Sequence, residues 1–240
     1  MLTVATAQLR FSAADRREQI LNVATRLFAR QGFQGTTTKQ ISERAKVNEA
    51  IIFRHFSSKD ELYWAVIERK INSAAPSERL RERLDPSMED SEVFSRVAAE
   101  ILDRRAKDQT LSRLLLFSVL ENHRLSHRFF RTYAARYYEL LAEFIRQRIS
   151  DGRYREVDPL LAARGFLGMV IYHSWVQELF GGKRYQKFDV QQVSRTLADI
   201  WLRGMVAATE AASLQPTKSG NGNYRNHRRK QENASRIQNS

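Results

Sequence analysis

The chain has 240 residues, with 40 Lys and Arg against 27 Asp and Glu and no Cys, so its formal net charge is +13. The absence of Cys excludes a disulfide scaffold, a thiolate zinc site and a Cys nucleophile, and no apolar run approaches the roughly 18–20 residues of a membrane span. Hydrophobic residues make up 42%, whereas Gly and Pro number only 10 and 4. This balance favours a cytoplasmic, mostly α-helical protein over an all-β protein with many tight turns.

Helical periodicity predicts four helices close together near the N-terminus. Ser12 with Asp15 resembles a capping box before a helix that ends near residue 30, and Gly32 is a typical C-terminal cap. Asn48 and Ser58 are the expected caps of the third and fourth helices. The second to fourth helices are predicted at about 38–45, 49–56 and 59–72. Their short connections are typical of a helix-turn-helix motif.

The segment 75–90 holds Pro76 and Pro86 among alternating charges and is predicted to be a linker. Beyond it, the periodicity predicts longer helices at about 89–107, 109–122, 126–150, 158–180 and 189–212. No segment alternates convincingly as a β-strand. The predicted fold class is therefore all-α, with an N-terminal three-helix helix-turn-helix domain followed by a C-terminal helical domain.

The positive charge is concentrated at the two ends of the chain. Residues 1–59 carry a net charge of +6, residues 60–215 only +2, and residues 216–240 carry +5. We interpret these blocks as an N-terminal arm with the helix-turn-helix domain, a helical body, and a basic tail too polar to bury a core and predicted to be disordered. The tail is either a solvated extension without a specific role or a source of sequence-independent phosphate contacts.

Residues 32–62, GFQGTTTKQISERAKVNEAIIFRHFSSKDEL, resemble the N-terminal DNA-binding module of the TetR family of bacterial transcription regulators. The stretch DGRYREVDPLLAARGFLGMV, within residues 138–180, is similar to the effector domain of one subset of that family. Three positions depart from the family pattern, since Lys46 replaces a turn Gly, Asn48 replaces Ser and Phe53 replaces Tyr. The matching positions in the first stretch are Gly32, Phe33, Thr36, Thr37, Ile41, Ala45, Val47, His55, Phe56, Ser58, Lys59, Glu61 and Leu62.

The resemblance implies a ligand-responsive regulator, most often a repressor, that binds a palindromic double-stranded DNA operator as a homodimer and is released by a small apolar or aromatic effector. Arg54 can donate two hydrogen bonds to guanine and Asn48 can contact adenine. Thr37, His55 and Lys59 match family positions that hold the DNA backbone. The DNA-binding residues expected from the match and its surroundings are Thr37, Lys39, Lys46, Asn48, Glu49, Ala50, Ile51, Phe53, Arg54, His55 and Lys59.

The resemblance also implies an effector pocket within the middle helices, where aromatic side chains are numerous. An apolar pocket with a few polar groups is the usual design of a small-ligand site. Each aromatic residue taken alone also fits a plain core position. The expected ligand-binding residues are Trp64, Phe94, Phe117, Asn122, His123, Tyr133, Tyr137, Tyr172, His173 and Trp175.

Homodimers of the family usually associate through their last two long helices, which correspond here to 158–180 and 189–212. Small residues would allow close helix approach and large ones would fill the layer between; the alternative is the ordinary core of a monomer. The expected interface residues are Gly165, Phe166, Gly168, Val193, Leu197, Ile200, Trp201, Gly204 and Met205.

Two other functions have weaker support in the sequence. The basic tail would suit an architectural protein that binds nucleic acid without sequence preference. An enzyme is not expected, because no Ser/His/Asp arrangement, phosphate-binding Gly loop or carboxylate pair stands out. His123 and His127 are four residues apart with Glu121 nearby, but a further ligand at coherent spacing is lacking. We therefore predict no metal and no cofactor, and no membrane partner.

Overall fold

The computed structural model describes residues 12–206, which belong to one compact unit. That range contains the α-helices α1 (Ala13–Gln31), α2 (Thr38–Ala45), α3 (Glu49–His55), α4 (Lys59–Ala74), α5 (Pro76–Arg83), α6 (Asp90–Lys107), α7 (Thr110–Leu120), α8 (Leu125–Phe129), α9 (Ala135–Ser150), α10 (Pro159–Glu178) and α11 (Val190–Arg203). Within it, the only β pairing is an isolated bridge between Tyr154 and Val206, so the predicted all-α fold class is confirmed. None of these helices is both long and apolar enough to cross a bilayer. The predicted basic tail, 216–240, and residues 1–11 lie outside the described range.

The ends of the first helices follow from local side-chain chemistry. The Ser12 hydroxyl accepts a hydrogen bond from the Asp15 backbone N–H at 3.1 Å, and the Asp15 carboxylate accepts one from the Ser12 backbone N–H at 3.1 Å. Thr37 and Gln40 form the same reciprocal pair at the start of α2. Gly32 follows α1 with φ 76°, a conformation that Gly adopts without the steric penalty of a Cβ atom. The predicted capping box and C-cap of α1 are confirmed.

A first hydrophobic core joins α1–α4 to α7 and α8. Phe28 and Tyr63 are fully buried with ring centroids 4.7 Å apart, and the Tyr63 hydroxyl donates a hydrogen bond to the Leu114 carbonyl at 2.7 Å. Leu114 and Leu125, from α7 and α8, belong to the same buried cluster. The boundary predicted between residues 59 and 60 therefore runs through a shared core, because α4 packs against both α1 and α7.

A second hydrophobic core fills the space between α6, α9, α10 and α11. Phe94 is fully buried at its centre, with ring centroids 4.8 Å from Phe166, 4.3 Å from Trp201 and 6.0 Å from Phe144. The Trp201 indole N–H donates a hydrogen bond to the Ala162 carbonyl at 3.2 Å. This core fixes α6 and α10, which carry several of the groups discussed below.

Two segments differ from the sequence-based prediction. Part of the predicted linker 75–90 forms α5, because Pro76 occupies the first helical turn, where its missing N–H removes no helical hydrogen bond, and Leu80 is buried. The linker prediction is wrong because one apolar anchor holds a helix whose other residues are mostly charged. The helix predicted over 126–150 is interrupted by a π-helical segment, Phe130–Ala134, between α8 and α9.

Candidate DNA-binding surface and effector cavity

The turn between α2 and α3 is anchored by buried side chains on its inner side and presents polar groups on its exposed side. Ala45 and Ile52 are each 1% exposed. Lys46 occupies the turn at φ 51° and ψ 46°, the left-handed conformation that favours Gly, so Lys costs about 1 kcal/mol there. The Asn48 side chain accepts a hydrogen bond from the Ala50 N–H at 2.8 Å, which confirms Asn48 as the cap of α3.

Most of the expected DNA-binding residues are exposed on α2, on α3 and on the turns that precede these helices. We call this set the recognition surface: Thr37, Lys39, Lys46, Asn48, Ala50, Phe53 and Arg54. The set contains three cations and no acid, which suits contacts with phosphates. Arg54 and Asn48 are donors or acceptors of the kind that recognise base edges. The surface therefore presents side chains suited to both kinds of contact that sequence-specific DNA binding requires.

Three further residues expected to contact DNA are engaged within the protein. The Glu49 carboxylate accepts a hydrogen bond from the Thr38 hydroxyl. Ile51 is partly buried against the first core. The His55 ring is also partly buried, with its centroid 6.4 Å from that of Phe56. These contacts orient α3 against α2. The residues of the recognition surface are more exposed than these three.

Lys59 begins α4, but its side chain lies against the rest of the protein. The ammonium is 4.1 Å from the centroid of the Phe33 ring. Burial lowers the pKa of Lys59, while the charges of Glu121 and Asp60 oppose that shift. The phosphate contact expected for Lys59 from the family match is not favoured by this packing, which uses the cation inside the structure.

Glu121, at the end of α7, joins the turn after α1 to the body. Its carboxylate accepts hydrogen bonds from the backbone N–H groups of Phe33 at 2.9 Å and Gln34 at 3.3 Å. Nearby, the Arg113 guanidinium donates a hydrogen bond to the Ala29 carbonyl at 2.7 Å. We call these contacts the junction. Sequence reasoning considered Glu121 only as a metal ligand, because nothing local shows that its partner is a backbone 88 residues away.

Gly32 allows the junction to close. A Cβ atom added at this position would meet the Glu121 carboxylate and would lie 2.9 Å from Phe117 Cδ1. Both the positive φ and this close approach therefore require Gly. Phe117, expected to bind a ligand, instead forms part of the wall against which Gly32 packs.

His123 also lies at the junction and not in a ligand pocket. Its ring centroid is 4.2 Å from that of Phe33 and 5.6 Å from that of Tyr63, and its Nε2 is 3.4 Å from the Asp60 carboxylate. Burial lowers the pKa of His123, while Asp60 opposes this effect. Neighbouring Asn122 adopts φ 51° in the turn after α7. Both residues were expected to bind a ligand, but His123 joins α1–α3, which we call the head, to the helical body, and Asn122 shapes the turn.

The remaining expected ligand-binding residues are dispersed. Trp64 and Tyr133 pack together with ring centroids 6.1 Å apart. Phe94 is central to the second core and Tyr172 is 64% exposed. Trp175 is partly buried, and its indole nitrogen is a buried donor without a partner among residues 12–206. The aromatic side chains thus do not converge on one pocket, because most of them pack in the two cores.

A cavity with a volume of about 1190 Å³ lies along α6, with walls from α4, α5, α7 and α11, and we call it the α6 cavity. Its lining includes eight Lys or Arg and five Asp or Glu residues, and none of the expected ligand-binding residues. Among the expected ligand-binding residues, only His173 lines a second cavity, which has a volume of about 280 Å³ and lies beside α10. The expectation of an apolar, aromatic pocket is therefore not met by the α6 cavity, whose wall is strongly charged.

The expected interface residues divide into two groups. Phe166, Val193, Trp201 and Met205 are buried in the chain's own second core, so they are not available on an exposed face. Leu197 is partly buried against the same core. The exposed members are Gly165, Gly168, Ile200 and Gly204. Periodicity alone could not separate the two groups, because α10 and α11 have apolar residues on both faces.

In residues 12–206, no group of three His, Asp or Glu side chains is arranged to hold a metal ion. Glu121 is bonded to backbone N–H groups, His123 is packed between aromatic rings, and His127 is exposed. The spacing of these three residues therefore has a structural explanation.

Two family models match the chain. Residues 20–66 match the model of the bacterial regulatory proteins of the tetR family. Residues 92–204 match the C-terminal domain of the AefR-like transcriptional repressors. The first match contains α2, α3 and most of α1, and the second contains most of α6 together with α7–α10 and α11. The recognition surface and much of the cavity wall therefore lie in segments typical of transcription regulators.

Known proteins agree with these matches. A helix-turn-helix transcriptional repressor of Mycobacterium tuberculosis is 40% identical over 73 residues, or 28% of this chain and 39% of the relative, so the match spans about two fifths of that protein. A TetR-family regulator from Mesorhizobium loti has a TM-score of 0.63 at 17% identity, covering 82% of this chain and 100% of that one. FadR from Bacillus subtilis, solved in complex with stearoyl-CoA, has a TM-score of 0.60 at 20% identity, with coverages of 78% and 98%. The two structures share the fold, and together with the family models they establish that this chain belongs to the TetR family of bacterial transcription regulators.

Proposed function

We propose that the chain is a cytoplasmic transcriptional repressor that binds a palindromic DNA operator as a homodimer and is released from it by a small-molecule effector. The observation that carries this proposal is the position of α7. Leu111 and Ser112, in its first turn, line the α6 cavity, and Glu121, which follows its last turn, accepts hydrogen bonds from the DNA-binding head. A molecule in the cavity and a duplex on the head would therefore act on the same helix.

The recognition surface supports operator binding. Lys39 and Lys46 are exposed cations that would bind phosphates, whereas Arg54 and Asn48 would contact base edges in the major groove. The short α3 is anchored by Ile52 in the first core, so its exposed side chains have fixed directions. A rigid helix with both kinds of contact is the arrangement by which helix-turn-helix proteins recognise sequence.

An exposed face of α10 supports the homodimer. Leu161, Gly165, Gly168 and Tyr172 follow one another at intervals of four, three and four residues, so they share one side of the helix. Leu161 and Tyr172 are each 64% exposed, and a Cβ at either Gly would meet nothing within 4 Å. Small residues between large apolar ones allow a second helix to approach closely. A two-fold axis through this face would place two heads on a palindrome.

The response to an effector would be a shift between two arrangements of the heads. Lys70 and Ser73 of α4 also line the cavity, and the same helix contributes Tyr63 to the core of the head. A ligand that binds one arrangement more tightly would change the separation of the two recognition surfaces. FadR has the same fold and was solved with stearoyl-CoA, which is consistent with a ligand-responsive body.

The test is an anisotropy titration of the full chain against DNA from the region upstream of its own gene. We expect tighter binding to that DNA than to a scrambled sequence of the same length, at the same salt concentration. Candidate effectors are then added to the preformed complex, and release is measured. Equal affinity and equal salt dependence for both sequences would instead indicate a non-specific architectural protein.

A further inference from the structure

The positive charge in the wall of the α6 cavity is concentrated around Glu100. Its carboxylate accepts a hydrogen bond from Arg83 Nε at 3.1 Å, while guanidinium nitrogens of Arg79 and Arg104 lie 3.9 and 4.0 Å away. One carboxylate therefore faces three guanidinium groups. The 4.0 Å separation is too long for a hydrogen bond, and Arg104 Nη1 is buried without a hydrogen-bond partner in the described part of the chain.

Arg105 adds a fourth guanidinium next to this cluster. Its Nε donates a hydrogen bond of 2.8 Å to the Ser174 hydroxyl, and this hydroxyl is a neutral acceptor. Burial and the neighbouring charge of Arg104 lower the pKa of Arg105 to about 10, so the side chain remains charged at neutral pH. Tyr137 interacts with both arginines, and burial raises the pKa of its hydroxyl to about 12. Tyr137 is therefore neutral and does not balance the two positive charges.

We infer that Arg104 and Arg105 form an anion-binding subsite in the wall of the α6 cavity, which takes the carboxylate or phosphate group of a small molecule. This inference rests on the proposed function, because it gives the chemical class of the effector. A guanidinium group offers a planar pair of donors that matches the oxygens of either anion. An oxyanion would supply an acceptor to the unpaired Nη1 and would reduce the repulsion between the two cations.

The subsite lies where a bound molecule can influence DNA binding. Leu111 and Ser112 of α7 and Lys70 of α4 belong to the same cavity wall. Lys70 already has a carboxylate partner, since its ammonium is 2.5 Å from Asp108. The anionic group of the ligand would therefore be held on α6, and the rest of the molecule would contact the two helices that reach the head.

Isothermal titration calorimetry on the full chain without DNA tests this subsite. The probes are inorganic pyrophosphate, octanoate and uncharged octanol, at constant ionic strength. We expect saturable binding of at least one anion, and the two anions distinguish a phosphate from a carboxylate ligand. Arg104→Gln and Arg105→Gln should each weaken that binding about 10-fold or more, because each removes a charged donor. The matched control is Arg146→Gln, which makes the same change of charge at a surface pair with Glu139 and should bind as the unmodified chain does.

Glu100→Gln provides a test in the opposite direction. Removing the shared carboxylate leaves more positive charge for the ligand, so we expect anion binding several-fold tighter, whereas a variant with damaged packing would bind more weakly. Arg105→Lys keeps the charge and serves if Arg105→Gln does not fold; it should bind more weakly than the unmodified chain. The inference is overturned if neither anion binds saturably, if all variants bind alike, or if octanol binds as tightly as the anion that binds best. Failure of operator binding would overturn the proposed function while leaving calorimetric anion binding intact, so the two outcomes are distinguishable.

Discussion

The carboxylate of Glu121 accepts a hydrogen bond from the backbone N–H of Phe33 at 2.9 Å, across 88 residues of sequence. This contact ties the end of α7 to the turn that follows α1. The start of α7 lines the α6 cavity, so the same helix reaches both the cavity and the turn that precedes α2. The contact is also a charge-assisted hydrogen bond, which is stronger than one between neutral groups.

Replacing Glu121 with Ala should therefore weaken both stability and response. The Phe33 and Gln34 N–H groups would lose their acceptor, and we expect the free energy of unfolding to fall by about 1–2 kcal/mol, measured by urea denaturation. Release of DNA by an effector should require more ligand. Glu139→Ala, which breaks a surface pair with Arg146, is the control and should change neither quantity appreciably. Loss of stability in Glu139→Ala equal to that in Glu121→Ala would contradict a special role for the junction.

His123 should make stability depend on pH. Because burial holds its pKa in the folded state below the ordinary value of about 6.5, the unfolded chain binds the proton more readily in that range. Stability should therefore fall as the pH decreases through about 6.5 and should stop changing below the folded pKa. Burial is the main cause of the lowered pKa of His123, and the charged groups that also face the ring are Asp60, Arg124, Glu121 and Lys59.

Urea denaturation at about pH 7.5 and about pH 5.5 measures this effect. His123→Gln should lose less stability between the two values than the unmodified chain, since Gln does not titrate. His55→Gln, on the DNA-binding head, is the matched control. An equal loss in the His123→Gln variant and the unmodified chain would show that other groups cause the pH dependence.

Arg54 and Lys39 should affect DNA binding in different ways. Arg54→Ala should relax base preference at one operator position and cost about 1–3 kcal/mol there. Lys39→Ala should weaken binding to every sequence alike and reduce the salt slope by about 0.9. Anisotropy titrations against the upstream DNA and a scrambled sequence, each at several salt concentrations, separate the two effects. If the two variants lose the same affinity for both DNAs, the division between base and phosphate contacts is wrong.

Replacing Lys46 with Gly should raise the stability of the chain and lower its affinity for DNA. Lys46→Gly relieves the left-handed backbone at φ 51° and should raise the free energy of unfolding by up to about 1 kcal/mol. The same change removes a cation from the recognition surface, so affinity for all DNA should fall. Urea denaturation and anisotropy measure the two quantities. Lys39→Gly, in the first turn of α2, is the contrasting control, because it should lower stability as well as affinity.

Gly168→Arg should prevent dimer formation without unfolding the chain. The space above Gly168 is open, so the new side chain meets nothing in its own protomer but would obstruct a second helix on the α10 face. Light scattering after size-exclusion chromatography should show a monomer, circular dichroism should show unchanged helix content, and operator affinity should fall. Gln147→Arg, an equally exposed change on α9, should remain dimeric. A dimeric Gly168→Arg variant would place the interface elsewhere.

Local sequence was sufficient for the elements whose ends depend on nearby groups. Ser12, Thr37 and Asn48 cap their helices with acceptors that lie within a few residues of the donors they satisfy. The spacing of apolar residues also predicted the all-α fold, because one face of each helix must be buried. The resemblance to the family placed Lys46 where a turn Gly is usual, and the structure gives this residue a positive φ of 51°.

Only the tertiary structure decided which partners lie far apart in the sequence. Glu121 meets Phe33 and Arg105 meets Ser174 because helices distant in the chain pack together, and no local pattern indicates such a pairing. The aromatic residues expected to form a pocket fill cores instead, since an apolar side chain is stabilised by any close-packed apolar contact. Charged side chains surround the cavity, and each buried or partly buried charge among them needs a specific partner to be stabilised. The sequence by itself therefore determined the fold class and most of the helices, and its resemblance to the family indicated the DNA-binding head, whereas packing determined which side chains surround the α6 cavity and which connect it to the head.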